Sequence, residues 1–370
     1  MKLTPLYQKH VDLGATMYTT GMGYAMPAYY SSVEEEAKNV RARVGMNDVS
    51  LMGRLDIKGK DALALTQYLI VNNAERLVDG QALYSVMCRE DGLIQDDVVV
   101  MRFSAEHIRI ITSSMFRAST LVWIQKHIDE RKASANVTDV SSYYAMIGVQ
   151  GPKSRDVLSG ITDIDLSSMK FFRFAFGKFG EIPCMIARLG FSGELGYECY
   201  VNAEDAHDAW DMIAEAGNSH GILPYGMDTL DALRWEKGFI FYGFDATDEH
   251  NPYECRVFDF IRYDCGDFLG REALLKIKER GPAKKLMGLE VGGDKLAPGN
   301  QPLKIGSESV GHVVAGFHSA NLDQNLGYAY VNAPHFENGT KATLEIDGTE
   351  ESVTIVDMPF LDPAGKRMRI

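Results

Sequence analysis

Two adjacent carboxylates directly precede three valines in the first third of the chain. The pair is Asp96-Asp97, residues 98–100 are all valine, and Gly92 marks a turn upstream. A short β-branched run bounded by turn signals predicts a buried strand, with the carboxylates at its entrance. Neighbouring residues of a strand point to opposite faces, so only one carboxylate can reach a cavity. A solvated acidic turn is the competing interpretation.

The first 275 residues interleave predicted strands and helices. This order is typical of an α+β sheet with helices on one side. A second unit of the same kind starts near Tyr144, so we expect two α+β lobes, about residues 1–142 and 143–275. The predicted strands lie at residues 55–58, 84–88, 98–103 and 108–112 in the first lobe, and around residues 172–176 and 185–188 in the second.

One helix is predicted to begin at Ser32. Ser32 and Glu35 have the spacing of a capping box. Apolar residues follow on one helical face as far as Val44, and Gly45 can end the helix in a left-handed conformation. The other predicted helices lie at residues 61–71, around residues 121–128, and at residues 205–216 and 227–237.

The pattern changes after Leu286. Short alternating strands separated by Gly, Asn and Asp turns replace the helices. Asp347-Gly348 is a strong hairpin signal. We therefore expect a separate all-β barrel or sandwich over residues 283–370.

Composition excludes several classes of function. The net charge of −13 argues against a nucleic-acid partner, which requires a basic face. The five cysteines lack C-x-x-C spacing and the nine histidines form no H-E-x-x-H set, so no metal site is predicted. There is no apolar signal region, and no run approaches the roughly 18 apolar residues of a membrane span. We expect a cytoplasmic protein, or a mitochondrial-matrix equivalent, with no membrane partner.

Nine short segments match one family in the same order. Residues 92–100 read GLIQDDVVV, residues 45–53 read GMNDVSLMG, and residues 190–198 read GFSGELGYE. The first two resemble the GG-I-x-DD-x-V and G-x-F-D-V-S-H-M-G motifs of the glycine cleavage T-protein (aminomethyltransferase) family. The other matches lie at residues 4–15, 26–31, 150–153, 242–243, 251–254 and 268–272. The resemblance covers most of the chain.

This resemblance implies a fold and a reaction. The family has two α+β folate-binding lobes and a C-terminal β-barrel around a central folate site, and it transfers a one-carbon unit from a donor to tetrahydrofolate. Asp97 is implied to lie beside the reacting nitrogens, where it would orient the amine and stabilise developing positive charge. Glu198 is implied to bind the pterin edge. The implied pocket-lining residues are Met52, Tyr84, Ile111, Phe172 and Phe191.

Each implied site residue also has a structural interpretation. Asp97 can cap a turn, Glu198 can be a strand glutamate, and the lining residues can be plain core. Arg188 and Arg234 are candidate basic groups of the site, although structural ion pairs would explain them equally well.

The match breaks at positions implied to face the donor. Leu51 replaces the family's motif histidine, Leu230 replaces an arginine, and Tyr24 replaces a tryptophan. Residues 230–238 are instead similar to the folate domains of sarcosine and dimethylglycine dehydrogenases. The folate site is therefore expected to be retained and the donor site altered.

The donor and one alternative class remain open. The donor can be an aminomethyl-lipoyl arm on a carrier protein, or a small N-, S- or O-methyl compound, in which case the enzyme is a tetrahydrofolate-dependent demethylase. The alternative is a non-catalytic folate-binding protein of the iron–sulfur assembly type, whose relatives carry a K-G-C-x-x-G-Q-E motif. Residues 264–272 read DCGDFLGRE, with the cysteine out of position, which disfavours that class.

Overall fold

The computed structural model describes residues 1–370. The chain begins with α1 Tyr7–Asp12, β1 Thr16–Thr19, β2 Ala25–Tyr29, α2 Val33–Ala42 and β3 Val44–Asp48. The Ser32 side chain accepts a hydrogen bond from the Glu35 backbone N–H, which confirms the predicted helix start. The predicted end at Gly45 is wrong. The helix stops at Ala42 because Val44 and Gly45 are hydrogen-bonded into β3.

An antiparallel five-stranded sheet follows. Its elements are β4 Gly53–Lys58, α3 Ala62–Leu69, β5 Gln81–Cys88, β6 Ile94–Ser104, β7 His107–Thr112, α4 Arg117–Arg131 and β8 Asn136–Asp139. The strand order is β5-β6-β7-β4-β8. Helices α3 and α4 cover one face through a core that includes Leu65, Val98, Ile110 and Ile124. The strands and helices predicted for this stretch are confirmed.

A second, six-stranded sheet has the order β10-β11-β12-β9-β3-β13. Its remaining strands, and the helices along this part of the chain, are β9 Tyr144–Gln150, α5 Ser154–Ser159, β10 Phe174–Phe179, β11 Ile182–Ala187, β12 Gly196–Asn202, α6 Ala206–Gly217, β13 Ile222–Pro224 and α7 Met227–Glu236. Helix α8 Arg271–Arg280 packs instead in a cluster with β5, β6 and the C-terminal strands. Strand β3 comes from the N-terminal segment, so the sheets do not follow the predicted split at residues 142 and 143 at this point.

The inner faces of the two sheets pack against each other. One apolar cluster joins Ala82, Met101 and Ile111 of the first sheet to Met146 and Met185 of the second. Burial of such a shared face is the main favourable contribution to this contact. The faces that carry the candidate site residues therefore look towards each other.

Residues 284–356 form a closed barrel. Its strands are β14 Lys284–Val291, β15 Pro302–Ile305, β16 Glu308–Ser319, β17 Gln324–Asn332, β18 Lys341–Ile346 and β19 Thr349–Val356, in the order β14-β17-β16-β15-β18-β19. Asp347 and Gly348 have φ values of 49° and 77°, as a type I′ hairpin turn requires. The predicted α+β fold with a C-terminal all-β barrel is confirmed.

The barrel docks onto the first sheet and α7. A cluster of buried residues includes Val86 of β5, Tyr242 of the connecting segment (residues 237–270, between α7 and α8), and Leu286 and Tyr328 of the barrel. The Tyr328 hydroxyl donates to the Trp235 carbonyl oxygen at 2.9 Å. None of the helices combines the length and the apolar character that a membrane crossing requires.

Candidate functional site

The acidic pair lies inside strand β6. Asp96 and Asp97 are the third and fourth residues of the strand, and they pair with Met87 and Val86 of β5. The expected strand entrance is therefore wrong, because the pairing with β5 extends back to Ile94. The expected alternation is confirmed: Asp96 is fully buried and Asp97 is half-buried.

Asp96 faces the helix layer. Its carboxylate accepts hydrogen bonds from the hydroxyls of Thr112 and Thr120, which links β6 to β7 and α4. Burial, followed by the charge of Asp97, raises the pKa of Asp96 to about 8. Asp96 is therefore protonated near neutral pH and acts in the structure as a neutral hydrogen-bonding group.

Asp97 faces the opposite side, towards the second sheet and the barrel. The residue two positions on, Val99, packs with the cluster between the sheets. Tyr84, diagonally across from Asp97, packs with the cluster that includes the barrel and donates its hydroxyl to the Asp97 carboxylate at 3.1 Å. Burial raises the pKa of Asp97 to about 6, against the opposing effects of Tyr84 and the Arg234 charge.

Arg234 supplies the positive charge that acts on Asp97. It is 2% exposed on α7 and pairs with Asp231 and Asp245. Burial alone would lower its pKa, but the charges of Asp245 and Asp231 raise the pKa of Arg234 above its ordinary value. The guanidinium also lies 5.9 Å from the ring centroid of Phe191. Arg234 is therefore a fixed cation held in place by structural ion pairs.

The second candidate carboxylate, Glu198, lies on strand β12. It is half-buried and accepts a hydrogen bond from the Tyr200 hydroxyl at 3.1 Å. Burial raises the pKa of Glu198 to about 7, against the effects of Tyr200 and the charge of Arg54. Tyr200 belongs to the cluster between the sheets, so Glu198, two residues before it, lies on the same inner face.

Arg54 brings a buried positive charge to the first sheet. It is 1% exposed, and its guanidinium donates to the backbone carbonyls of Ser50 and Ser141 rather than to a carboxylate. Burial lowers the pKa of Arg54 to about 10, so it stays charged at neutral pH. The two half-buried carboxylates, Asp97 and Glu198, thus each have one tyrosine donor and one buried arginine nearby.

Three of the predicted lining residues lie between the two sheets. Ile111 is part of the shared cluster, and Met52 and Phe172 pack against it. Phe172 has a φ of 59°, a conformation that bulky residues rarely adopt. Its carbonyl accepts a hydrogen bond from Ala82 of the first sheet, while its N–H donates to Arg188 of the second. Strained residues of this kind are typical of ligand sites.

The other two predicted lining residues lie closer to the barrel and α7. The ring of Tyr84 meets Phe260 edge-on at 4.8 Å, and Phe191 stacks on Phe239 at 5.7 Å. The predicted lining residues therefore lie on or directly beside the strands of both sheets. Their contact with a ligand stays a prediction.

Arg188 has a different environment from the one expected. Its guanidinium donates to the backbone oxygens of Met169 and Ile370, both at 2.7 Å, and not to a carboxylate side chain. The expected structural ion pair is absent at Arg188, although it is present at Arg234. Arg188 is therefore used to tie the end of the chain to the second sheet.

Two family models match the chain. The GCVT N-terminal domain matches residues 6–264, and the Glycine cleavage T-protein C-terminal barrel domain matches residues 284–362. Together they cover both predicted parts of the molecule.

The chain belongs to the glycine cleavage T-protein family.

Full-length relatives agree with this assignment. The chain is 36% identical to an aminomethyltransferase of Symbiobacterium thermophilum, with 97% of each chain covered. It is 33% identical to an aminomethyltransferase of Halothermothrix orenii, with 98% of this chain and 100% of the relative covered. The crystal structure of glycine cleavage system aminomethyltransferase T from Bartonella henselae has the same fold, with a TM-score of 0.90 at 22% identity and 98% coverage of both chains.

Leu51 and Leu230, two positions where this chain departs from the T-protein motifs, are apolar and buried. Leu51 packs with Tyr24 and Met26 in a small cluster that Met227 adjoins. Leu230 is 8% exposed on α7. At both positions an apolar side chain stands where the family motifs carry a histidine or an arginine.

Three residues around the candidate site, Tyr200, Arg54 and Asp245, were not predicted from the sequence. Tyr200 could have been found, because it lies two positions after Glu198 on the same strand face. Arg54 follows a recognised motif, but nothing local indicates that it is buried without a carboxylate partner. Asp245 reaches Arg234 because the connecting segment folds back onto α7. No sequence motif around Asp245 indicates this ion pair.

Proposed function

We propose that this protein transfers a one-carbon unit from an aminomethyl donor to tetrahydrofolate. The observation that carries the proposal is the pair of half-buried carboxylates, Asp97 and Glu198, which lie on the facing sides of the two sheets in a full-length member of the T-protein family. Carboxylates with raised pKa values in a shared site are typical of proton transfer and charged recognition.

Glu198 is proposed to bind the pterin edge. That edge carries an amino group and a ring N–H side by side, which a carboxylate can accept with both oxygens. The buried charge of Arg54 and the Tyr200 hydroxyl favour the ionised form of Glu198, the form that accepts both bonds. Met52, Ile111, Phe172, Phe191 and Tyr84 are proposed to line the pocket.

Asp97 is proposed to act on the reacting nitrogen. One folate nitrogen forms a C–N bond to the donor carbon as the first of the carbon's two bonds, to sulfur or to the amino nitrogen, breaks. The second folate nitrogen then forms a C–N bond as the other of these bonds breaks. Ammonia and the free thiol leave with the two protons that the folate nitrogens lose. A carboxylate with a pKa of about 6 is ionised near neutral pH, so it can stabilise the positive charge and accept the proton. Tyr84 fixes its orientation by a hydrogen bond.

The donor is proposed to be an aminomethyl group, as in the relatives named aminomethyltransferase. The relatives do not favour the direct demethylase or the non-catalytic folate-binding alternatives. A lipoyl carrier protein is the proposed partner, because the chain has both domains of the T-protein family, and the resemblance to that family implies a donor group on a lipoyl arm.

One assay tests both donor and acceptor. The protein is incubated with tetrahydrofolate and either an aminomethylated lipoyl carrier protein or a panel of methylamines, methylthio compounds and methoxy compounds. Formation of methylene-tetrahydrofolate with the carrier alone is the expected result. Formation of methyl-tetrahydrofolate from a small compound would show that this compound, and not an aminomethyl group, is the donor. If no donor gives a product, the proposal that the protein is an enzyme is overturned.

A further inference from the structure

Three adjacent strands align Asn47, Gly148 and Glu198 in one row across the second sheet. Asn47 of β3 pairs with Gly148 of β9, which pairs in turn with Glu198 of β12. Directly opposed residues of antiparallel strands point to the same face, so Asn47 and Glu198 flank the glycine on the inner face. A Cβ at Gly148 would lie 2.2 Å from the Asn47 Oδ1, so the Asn47 side chain leans over a position that only glycine fits.

Tyr225 reaches the same face from beyond β13. Its ring covers Gly45, where a Cβ would lie 2.7 Å from the Tyr225 Cδ1. Gly45 is two residues before Asn47, so it shares the inner face. Tyr225 also belongs to the cluster against which Phe191 packs. The charge of Glu198 contributes, after burial, to a raised pKa of Tyr225, which places the two groups within electrostatic range.

Asn47 and Tyr225 each have a buried polar group without a hydrogen-bond partner. Asn47 is 3% exposed and Tyr225 is 1% exposed, yet the Asn47 Nδ2 and the Tyr225 Oη make no hydrogen bond. Leaving a buried donor unpaired costs about 1–3 kcal/mol. The T-protein motif has phenylalanine where this chain has Asn47, so the amide is a departure from the family that burial alone does not explain. Unpaired buried groups beside a binding carboxylate are suited to a ligand that supplies the partner.

We propose that Asn47 and Tyr225 are further folate-binding residues, which donate hydrogen bonds to the ring carbonyl next to the N–H edge held by Glu198. The inference rests on the proposed function, because it takes Glu198 to hold that edge. A pterin presents its carbonyl oxygen directly beside its ring N–H. Glu198 can accept a hydrogen bond from that N–H, and Asn47 and Tyr225 can donate hydrogen bonds to the neighbouring carbonyl oxygen.

The test uses Tyr225→Phe, which removes one atom, and Asn47→Leu, which keeps the branched shape without the amide. Their affinities for tetrahydrofolate and for its 4-amino analogue, in which an amino group replaces the ring carbonyl, are measured by calorimetry. Each variant should bind tetrahydrofolate about threefold to tenfold more weakly, the equivalent of one hydrogen bond. Binding of the 4-amino analogue should change less, because it lacks the acceptor.

A second readout separates binding from structure. Without ligand, both variants should match or exceed the wild-type melting temperature, because an unpaired buried group has been removed. Tyr197→Phe is the matched control. Tyr197 is the residue before Glu198, faces the opposite core, and accepts a hydrogen bond from Arg155 at 3.2 Å. Its loss should lower the melting temperature and leave folate affinity unchanged.

The other outcomes overturn the inference. Unchanged tetrahydrofolate affinity in both folded variants would mean that the two groups hold at most an internal water. Lower melting temperatures in both would assign them a structural role. If Glu198→Gln weakens folate binding while these variants do not, only the inference fails. If the wild-type protein binds no tetrahydrofolate, the proposed function fails as well.

Discussion

At the scale of single residues, burial sets the chemistry of the site. Asp97 and Glu198 are both carboxyl groups, and burial raises the pKa of Asp97 to about 6 and that of Glu198 to about 7. Each is oriented by a tyrosine hydroxyl, Tyr84 or Tyr200. The two groups therefore titrate near neutral pH, where small changes in surroundings decide their charge.

Glu198→Gln tests the pterin contact. The variant keeps the shape but loses the charge and one acceptor, so tetrahydrofolate binding should weaken by about 1.5–3 kcal/mol, the range for a charged hydrogen bond. Titration calorimetry measures the affinity.

The pH dependence provides a control for this substitution. In the wild-type protein, affinity should rise as pH increases through about 7, because the ionised form of Glu198 accepts both bonds. Glu198→Gln should lose that rise. Equal affinities at all pH values for both proteins would show that Glu198 does not contact the ligand.

At the scale of elements, local sequence patterns predicted which helices and strands exist better than they predicted where those elements end. The β-branched and alternating runs located the strands that pair in both sheets, and Ser32 located the start of α2. Strand β15 was missed because it is short and begins with Pro302. The end of α2 was misplaced because Val44 and Gly45 pair with residues about 100 and 180 positions away, which no local pattern reports.

The candidate site likewise has features that the sequence predicted and features that depend on tertiary packing. Family motifs indicated Asp97 and Glu198, and strand alternation gave their faces. The unpaired state of Asn47, the burial of Arg54 and the pairing of Asp245 with Arg234 depend on how β3, the sheets and the connecting segment come together. Such contacts over long sequence separations are decided by tertiary packing and have no signature in a short window.

Asp96→Asn tests the link between β6 and α4. The folded state keeps Asp96 protonated up to a pKa of about 8, whereas the unfolded chain loses that proton near 4. The folded state binds more protons in this window, so the free energy of unfolding of the wild-type protein should fall as pH rises through it.

The Asp96→Asn protein should lack this contribution. It retains an oxygen that can accept from Thr112 and Thr120. Denaturant unfolding from pH 4 to pH 9 should therefore show the wild-type protein losing stability relative to the variant. A constant difference across this range would mean that Asp96 is ionised in the folded protein.

At the scale of the whole molecule, buried ion pairs join distant segments. Arg41 of α2 contacts Glu194 at 2.9 Å and Glu236 of α7 at 2.8 Å. Glu194 also pairs with Arg367, near the end of the chain, and Glu236 accepts from Ser319 of the barrel. This network connects the second sheet, α7 and the barrel around the candidate site.

Arg41→Leu should destabilise the whole molecule by about 3–5 kcal/mol, because it leaves the buried Glu236 without a cationic partner and Glu194 with Arg367 alone. Urea unfolding gives the difference in free energy. The control is Lys38→Met on the same helix, which removes an exposed pair with Glu34 and should leave the unfolding midpoint unchanged. Equal effects of the two substitutions would mean that the buried network does not hold the parts together.

The turnover of Asp97→Asn compared with that of Asp96→Asn shows whether the acidic pair takes part in the transfer reaction. If Asp97 stabilises charge as the folate nitrogen attacks, its loss should lower kcat by on the order of 100-fold or more. Folate affinity should fall much less, because the interaction belongs to the transition state. Asp96 faces the helix layer, so Asp96→Asn should retain near-normal kcat. Equal losses in the two variants, or near-normal turnover of Asp97→Asn, would contradict the proposed site.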